Sequence, residues 1–250
     1  MTPLDAVFLA IAGIVGGGIN SLAGGGSLIV FPAFIAVGYP TLAANVTNSV
    51  AQWPGYVGGV IGFREQLGGQ RARAIRLTVV AMAGAVAGSL VLLGLPSDSF
   101  DVVVPFLVLM ASLLLAAQPR IARLIGPPRE SAGENRVIYP VLFLAGAYGG
   151  YFGGALGVIL IGVLALTVHD TLRRINALKT VLSLTASTVT ILLFGLLAPV
   201  NWAGVAVVAP ATLVGGLLGA RVARRLDERV LRACVVTFGV GVSIYLFLRI

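Results

Sequence analysis

The chain has 250 residues, 58% of them hydrophobic and only 10% charged, with a mean hydropathy of +1.02, 33 glycines and a formal net charge of +8. So few charges cannot cover the apolar surface of a soluble domain, and the composition predicts an all-α polytopic membrane protein. A transmembrane β-barrel is excluded because apolar runs such as 77–95 do not alternate with polar residues.

Residues 1–5 carry no basic region ahead of the first apolar segment, so that segment is read as retained rather than as a cleaved leader. It spans 4–37 and is interrupted by Gly16-Gly17-Gly18 and Gly24-Gly25-Gly26. Each helical glycine is unfavourable by roughly 1 kcal/mol relative to alanine, which predicts a broken helix. Ser27 is the expected N-cap of the second piece, with the amides near Gly25 and Gly26 accessible at its positive end, where an anion would bind. The competing reading is that the glycines let another helix approach closely. Segments 42–63, 74–95 and 102–117 read as ordinary spans. A polar loop over 118–136 follows, and then come 137–168 (glycine-broken again), 172–197, 202–220 and 230–248.

The plan repeats at a single offset of 131 residues, which pairs Gly18 with Gly149, Asn45 with Asn176, Lys179 with Asn48, Gly84 with Gly215 and Gly88 with Gly219. Gly84-x-x-x-Gly88 and Gly215-x-x-x-Gly219 are assigned to tight helix packing. Arginine placement orients the halves. Arg64, Arg71, Arg73 and Arg76 mark one loop as cytoplasmic; Arg120, Arg123, Arg129 and Arg136 mark a second, and Arg221, Arg224, Arg225, Arg229 and Arg232 a third. All three lie inside only if each glycine-broken unit enters and leaves on one face. As continuous helix, 34 residues would extend about 51 Å, too long for one ~30 Å core and short for two full spans. The expected architecture is therefore two inverted repeats, each a glycine-broken helical hairpin plus three spanning helices. They cover 1–117 and 137–250, joined by a cytoplasmic basic linker over 118–136, with both termini outside. Opposed broken hairpins point to a transporter site near the midplane.

The unit 16–32, the following Pro40-Thr41-Leu42-Ala43-Ala44-Asn45-Val46-Thr47-Asn48, and the second copy after a basic loop resemble the sulfite exporter TauE/SafE family over essentially the whole chain. The resemblance implies export of small sulfur-containing anions, such as sulfite or sulfonates, across a bacterial inner membrane. The second unit departs from the pattern: Gly153-Gly154-Ala155-Leu156-Gly157 lacks a glycine triplet, and Val158 stands where Ser27 maps.

Lys179 is the chain's one lysine and falls inside an apolar segment. Positions 45, 48, 49 and 52 share one helical face, as do 176, 179, 180 and 183. The candidate anion site is therefore Lys179 with Asn45, Asn48, Asn176, Thr180 and Gln52, together with Asn20, Gly25, Gly26 and Ser27 of the first unit. The alternative reading has these polar residues bonding neighbouring helices and Lys179 snorkelling to the interface. Tyr148 and Tyr151 line the second hairpin or pack within it. His169, with Asp170, Arg173 and Arg174, reads as an interfacial anchor.

With single Cys234 and His169, no disulfide, metal site or other cofactor is expected. The positive charge follows from the loops, favours anionic lipid and calls for no nucleic acid. Oligomeric state is left open. An intramembrane enzyme lacks a Ser/His pair or paired carboxylates. A cation transporter would carry intramembrane acids, whereas of nine acids only Asp5 and Asp170 approach segment ends.

Overall fold

A computed structural model describes residues 1–22, 24–124, 136–168, 170–222 and 228–249. Ala23, Arg129, His169, Arg224, Arg225 and Ile250 lie outside the described residues. Among the described residues all regular structure is helical. The first glycine-broken segment forms α1 (Pro3–Leu22) and α2 (Ser27–Ala36). Its counterpart forms α7 (Ile138–Tyr151) and α8 (Leu156–Thr167). Between them come α3 (Thr41–Ala51), α4 (Trp53–Gly62), a short 3-10 turn Arg64–Leu67, α5 (Arg71–Gly94) and α6 (Ser97–Leu124). The chain ends with α9 (Leu172–Leu197), α10 (Trp202–Val222) and α11 (Glu228–Phe247).

Two expectations are corrected. The segment 42–63 is not one span: it divides at Gln52, and Pro54 falls in the first turn of α4, where its missing N–H needs no partner. The loop expected from Gln118 begins later, because α6 continues through Pro119 to Leu124 and residues 125–135 lie outside the described ones. Gln118, Ala122 and the flanking arginines are good helix formers, so polarity alone did not end the helix.

Residues 3–21, 71–94, 97–120 and 173–197 are long and apolar enough to cross a membrane. Their outer faces remain apolar. On α1, Leu4, Val7, Phe8, Ile11 and Ile14 are exposed, while Leu9, Ala12 and Ile19 are buried. Such a face suits lipid rather than water.

α1 packs chiefly on α10, and α5 on α7. At the 131 offset α1 maps onto α7 and α5 onto α10, so the two pairs exchange. Small residues set their spacing. A Cβ on Gly84 would lie 2.9 Å from Ala147 N, and one on Gly215 would lie 3.0 Å from Gly18 N. At the centre the two breaks meet backbone to backbone. Gly24 has φ 81 and its repeat mate Ala155 has φ 55. A Cβ on Gly157 would come within 2.5 Å of Gly24 Cα, so only glycine permits this approach.

Candidate functional site

The break after α1 is organised by one side chain. Asn20 Oδ1 accepts the Gly26 amide at 2.8 Å, closing the turn between α1 and α2. Asn20 Nδ2 donates to Gln52 Oε1 and to the Tyr56 hydroxyl, the latter at 3.4 Å. Gln52 Nε2 in turn donates to Ser27 Oγ and to Asn48 Oδ1, both at 2.7 Å. Asn20, Ser27, Asn48 and Gln52 are all buried, so these bonds satisfy groups that would otherwise be costly in an apolar interior.

Ser27 does not cap α2. Gly26 occupies the N-cap position without a side-chain bond, and Ser27 is the first helical residue. The Ile29 and Val30 amides, which a Ser27 cap would serve, bond the Gly26 carbonyl at 3.0 and 3.2 Å, while the Gly26 amide itself goes to Asn20. Gly25 and Gly26 also differ. A Cβ on Gly26 would strike Gly16's main chain, whereas one on Gly25 would meet only the side chain of Leu115, at 3.1 Å. Gly26 therefore meets the close-packing reading, and Gly25 is the less confined position.

Lys179 lies on α9, about 10 Å along the helix from its start. It is 2% exposed, and its Nζ donates to the main-chain carbonyl of Asn20 at 3.3 Å. The ammonium is turned into the protein, not toward the interface. Among the described residues no carboxylate lies within ion-pair distance of it. The carbonyl it meets lies in the last turn of α1, where the helix dipole is negative, which accounts for part of its stabilisation.

The second break mirrors this contact with different chemistry. Asn45 Nδ2 donates to Tyr151 O at 3.0 Å, and residue 151 is the repeat mate of residue 20. A carbonyl in the last turn of the first helix of each broken unit thus accepts from a side chain of the opposite half. Tyr151 cannot repeat Asn20's bridging role. Here Tyr148 instead donates its hydroxyl to Gly154 O at 2.7 Å.

Asn20, Gly26, Ser27, Asn48, Gln52 and Lys179 therefore form one connected group. Asn176 and Thr180 stand apart: Thr180 Oγ1 donates to Asn176 O at 2.8 Å, and its methyl packs against Gly59. Asn45 and Asn176 each keep a buried Oδ1 without a partner. Sequence reasoning missed Tyr56, which extends the 45–48–52 face by one turn and is the repeat mate of Ser187; that spacing was the available signal.

The family profile described as "Sulfite exporter TauE/SafE" matches residues 9–246. The chain belongs to this family. Relatives include "Probable membrane transporter protein ORF9" of Sinorhizobium sp, 26% identical over 177 residues, 65% of this chain and 65% of that one, just under two thirds of each. "Probable membrane transporter protein YfcA" of Escherichia coli strain K12 is 25% identical over 244 residues, 94% of this chain and 87% of that one. A "Probable membrane transporter protein" of Haemophilus influenzae is 25% identical over 239 residues, covering 91% and 89%. No solved structure matches. Family, relatives and apolar helices together support a multi-pass membrane transporter.

Proposed function

We propose that this TauE/SafE member is a secondary transporter that exports a small anion, sulfite or an organosulfonate, across a bacterial inner membrane by alternating access. The observation that carries the reading is Lys179, a buried cation without a carboxylate partner among the described residues, held where the α1–α2 break meets α9. A charged residue at the centre of a spanning helix costs roughly 2.5 to 3.5 kcal/mol to insert, an upper limit for Lys179 about 10 Å from the start of α9, and an anion is the ligand that would offset the charge. In this arrangement the two donors an anion needs, Lys179 Nζ and Gly26 N–H, both terminate on Asn20. We infer that Asn20 occupies the donors until substrate displaces it. The halves are inverted in this reading, with the two breaks as the moving contact between them.

The test is purified protein in proteoliposomes, offered sulfite, organosulfonates, small carboxylates and monovalent cations, with and without a pH gradient. Saturable anion flux that is lost in Lys179→Met supports the reading. Cation flux with no anion flux would overturn it, as would turnover of an anion without its movement.

A further inference from the structure

Beyond Lys179 the polar stripe of α9 continues through Ser183, Ser187 and Thr190, which lie on one helical face. With Ser27, Ser49 and Tyr56 they line a cavity of about 20 Å³, beside Gly149 and Gly153 of the second break. That is room for one water-sized oxygen. Among the described residues no charged side chain lines it.

The hydroxyl protons around this cavity fall into two sets. Ser49, Ser187 and Thr190 donate to the main-chain carbonyls of Asn45, Ser49 and Ser187, at 2.9, 3.4 and 2.9 Å, so their protons are committed. Ser27 Oγ accepts from Gln52 and the Tyr56 hydroxyl accepts from Asn20, which leaves each with its own O–H to give. Ser183 is 1% exposed and its Oγ has no hydrogen-bond partner among the described residues. A hydroxyl buried so deeply without a partner is unfavourable unless something fills the space it faces.

We propose that this cavity is an oxyanion subsite, in which one oxygen of the transported anion accepts hydrogen bonds from Ser27, Tyr56 and Ser183. The proposal rests on the anion-transport reading and deepens it: Lys179 supplies the charge, and this neutral pocket supplies hydroxyl donors. A bare cation would stand one residue, Asn20, away from the lysine ammonium, which would repel it. An organic tail does not fit the volume, so a sulfonate enters by an oxygen, with its carbon chain directed elsewhere. The bonds of Ser27 and Tyr56 also tie the subsite to Asn20 through Gln52 and directly, so an oxygen arriving here acts on the same residue whose main-chain carbonyl accepts from Lys179 Nζ.

The experiment measures labelled sulfite uptake into proteoliposomes for Ser183→Ala, Ser183→Val and Lys179→Met beside the unaltered protein, with the melting temperature of each recorded without anion. Ser183→Ala, which removes one oxygen, should raise KM about tenfold, the worth of one hydrogen bond to a charged ligand, with an unchanged melting temperature. Ser183→Val fills the cavity and should lose more. A wild-type KM in both Ser183 variants while Lys179→Met is impaired overturns the subsite alone. So does a lowered melting temperature with wild-type KM, which would mark Ser183 as structural. Wild-type uptake by Lys179→Met overturns the anion-site reading itself. If the valine variant fails to insert, the alanine variant decides.

Discussion

Lys179 is the residue at which the competing readings separate. Its ammonium donates inward to Asn20 O, so snorkelling is not its position in this structure. Replacement by methionine keeps the side-chain length and removes the charge. Lys179→Met should therefore insert normally and lose at least about tenfold in anion affinity, a step of about 1.4 kcal/mol, read as equilibrium binding of labelled sulfite to purified protein. Lys179→Arg should keep part of the affinity, because the charge persists while the fork geometry differs. Asn20 makes the complementary prediction. Asn20→Asp adds a carboxylate on the residue whose main-chain carbonyl the lysine meets and supplies from within the counter-charge that substrate would bring, so anion binding should disappear, with a lower melting temperature because the donor to Gln52 and Tyr56 is lost. A variant that still binds sulfite would show that Asn20 is not beside the anion. At residue scale the sequence singles out Lys179, one lysine in an apolar run, whereas the asparagines paired at one offset, Asn45 and Asn176, fall outside the connected group. It was not legible where a bond depends on the turn of a broken helix. Ser27 looks like a cap in the sequence, but it is the first helical residue of α2, and the amides it would have capped, Ile29 and Val30, bond Gly26 O. Thr180 sat on the right face and spends its hydroxyl on its own helix.

At the scale of elements, the two glycine-broken units were readable because glycine clusters and positive-φ positions coincide with chain breaks, at Gly24 and at Gly153-Gly154-Ala155. The break at Gln52 was not, since its backbone stays in the right-handed helical region and only Pro54 hints at a new first turn. This small irregularity places Gln52 between Asn20 and Ser27, so it shapes the site more than the fold. The glycines then divide by what they touch. Gly157→Ala would push the two breaks apart against backbone that cannot yield, and should cost about 1 to 3 kcal/mol, the usual range for overpacking, seen as a lower melting temperature. Gly26→Ala meets Gly16's main chain and should behave alike, whereas Gly25→Ala needs only a few tenths of an ångström from Leu115 and should stay near wild type in stability. Equal destabilisation by Gly25→Ala and Gly26→Ala would mean that the break is packed differently. Gly84 and Gly215, which face neighbouring backbone across the two principal helix pairs, belong to the same packing class.

At the scale of the whole molecule, charge is segregated to the two ends of the bundle. Where α4 leads into α5 and α9 begins, Arg73 and Arg174 pair with Asp170 at 3.2 and 3.0 Å, and Gln70 donates to Arg174 O. Elsewhere, the chain after α2 and the starts and ends of α3, α6 and α11 surround a cavity of about 580 Å³ lined by Tyr39, Asp98, Asp101, Leu246 and Arg249. The first end gathers segments rich in arginine and the second gathers the two aspartates, so the positive-inside rule assigns the first to the cytoplasm. The repeat sharpens this: at the 131 offset Asp98 and Asp101 map onto Arg229 and Arg232, so equivalent positions carry opposite charge. Two copies of one fold, charged oppositely at matching ends, are what inverted insertion would require, because basic loops are retained inside while acidic ones cross. The expected outcome is that both termini lie outside. Cys234 is exposed and is first replaced by serine. A membrane-impermeant thiol reagent applied to intact cells should then label Thr2→Cys and Ile250→Cys, while Glu65→Cys, in the basic turn, should react only after the cells are opened. Labelling of Glu65→Cys from outside, or protection of either terminus until lysis, would defeat the inverted arrangement. The alternating-access reading would fall with it, since the two breaks would no longer approach the midplane from opposite faces.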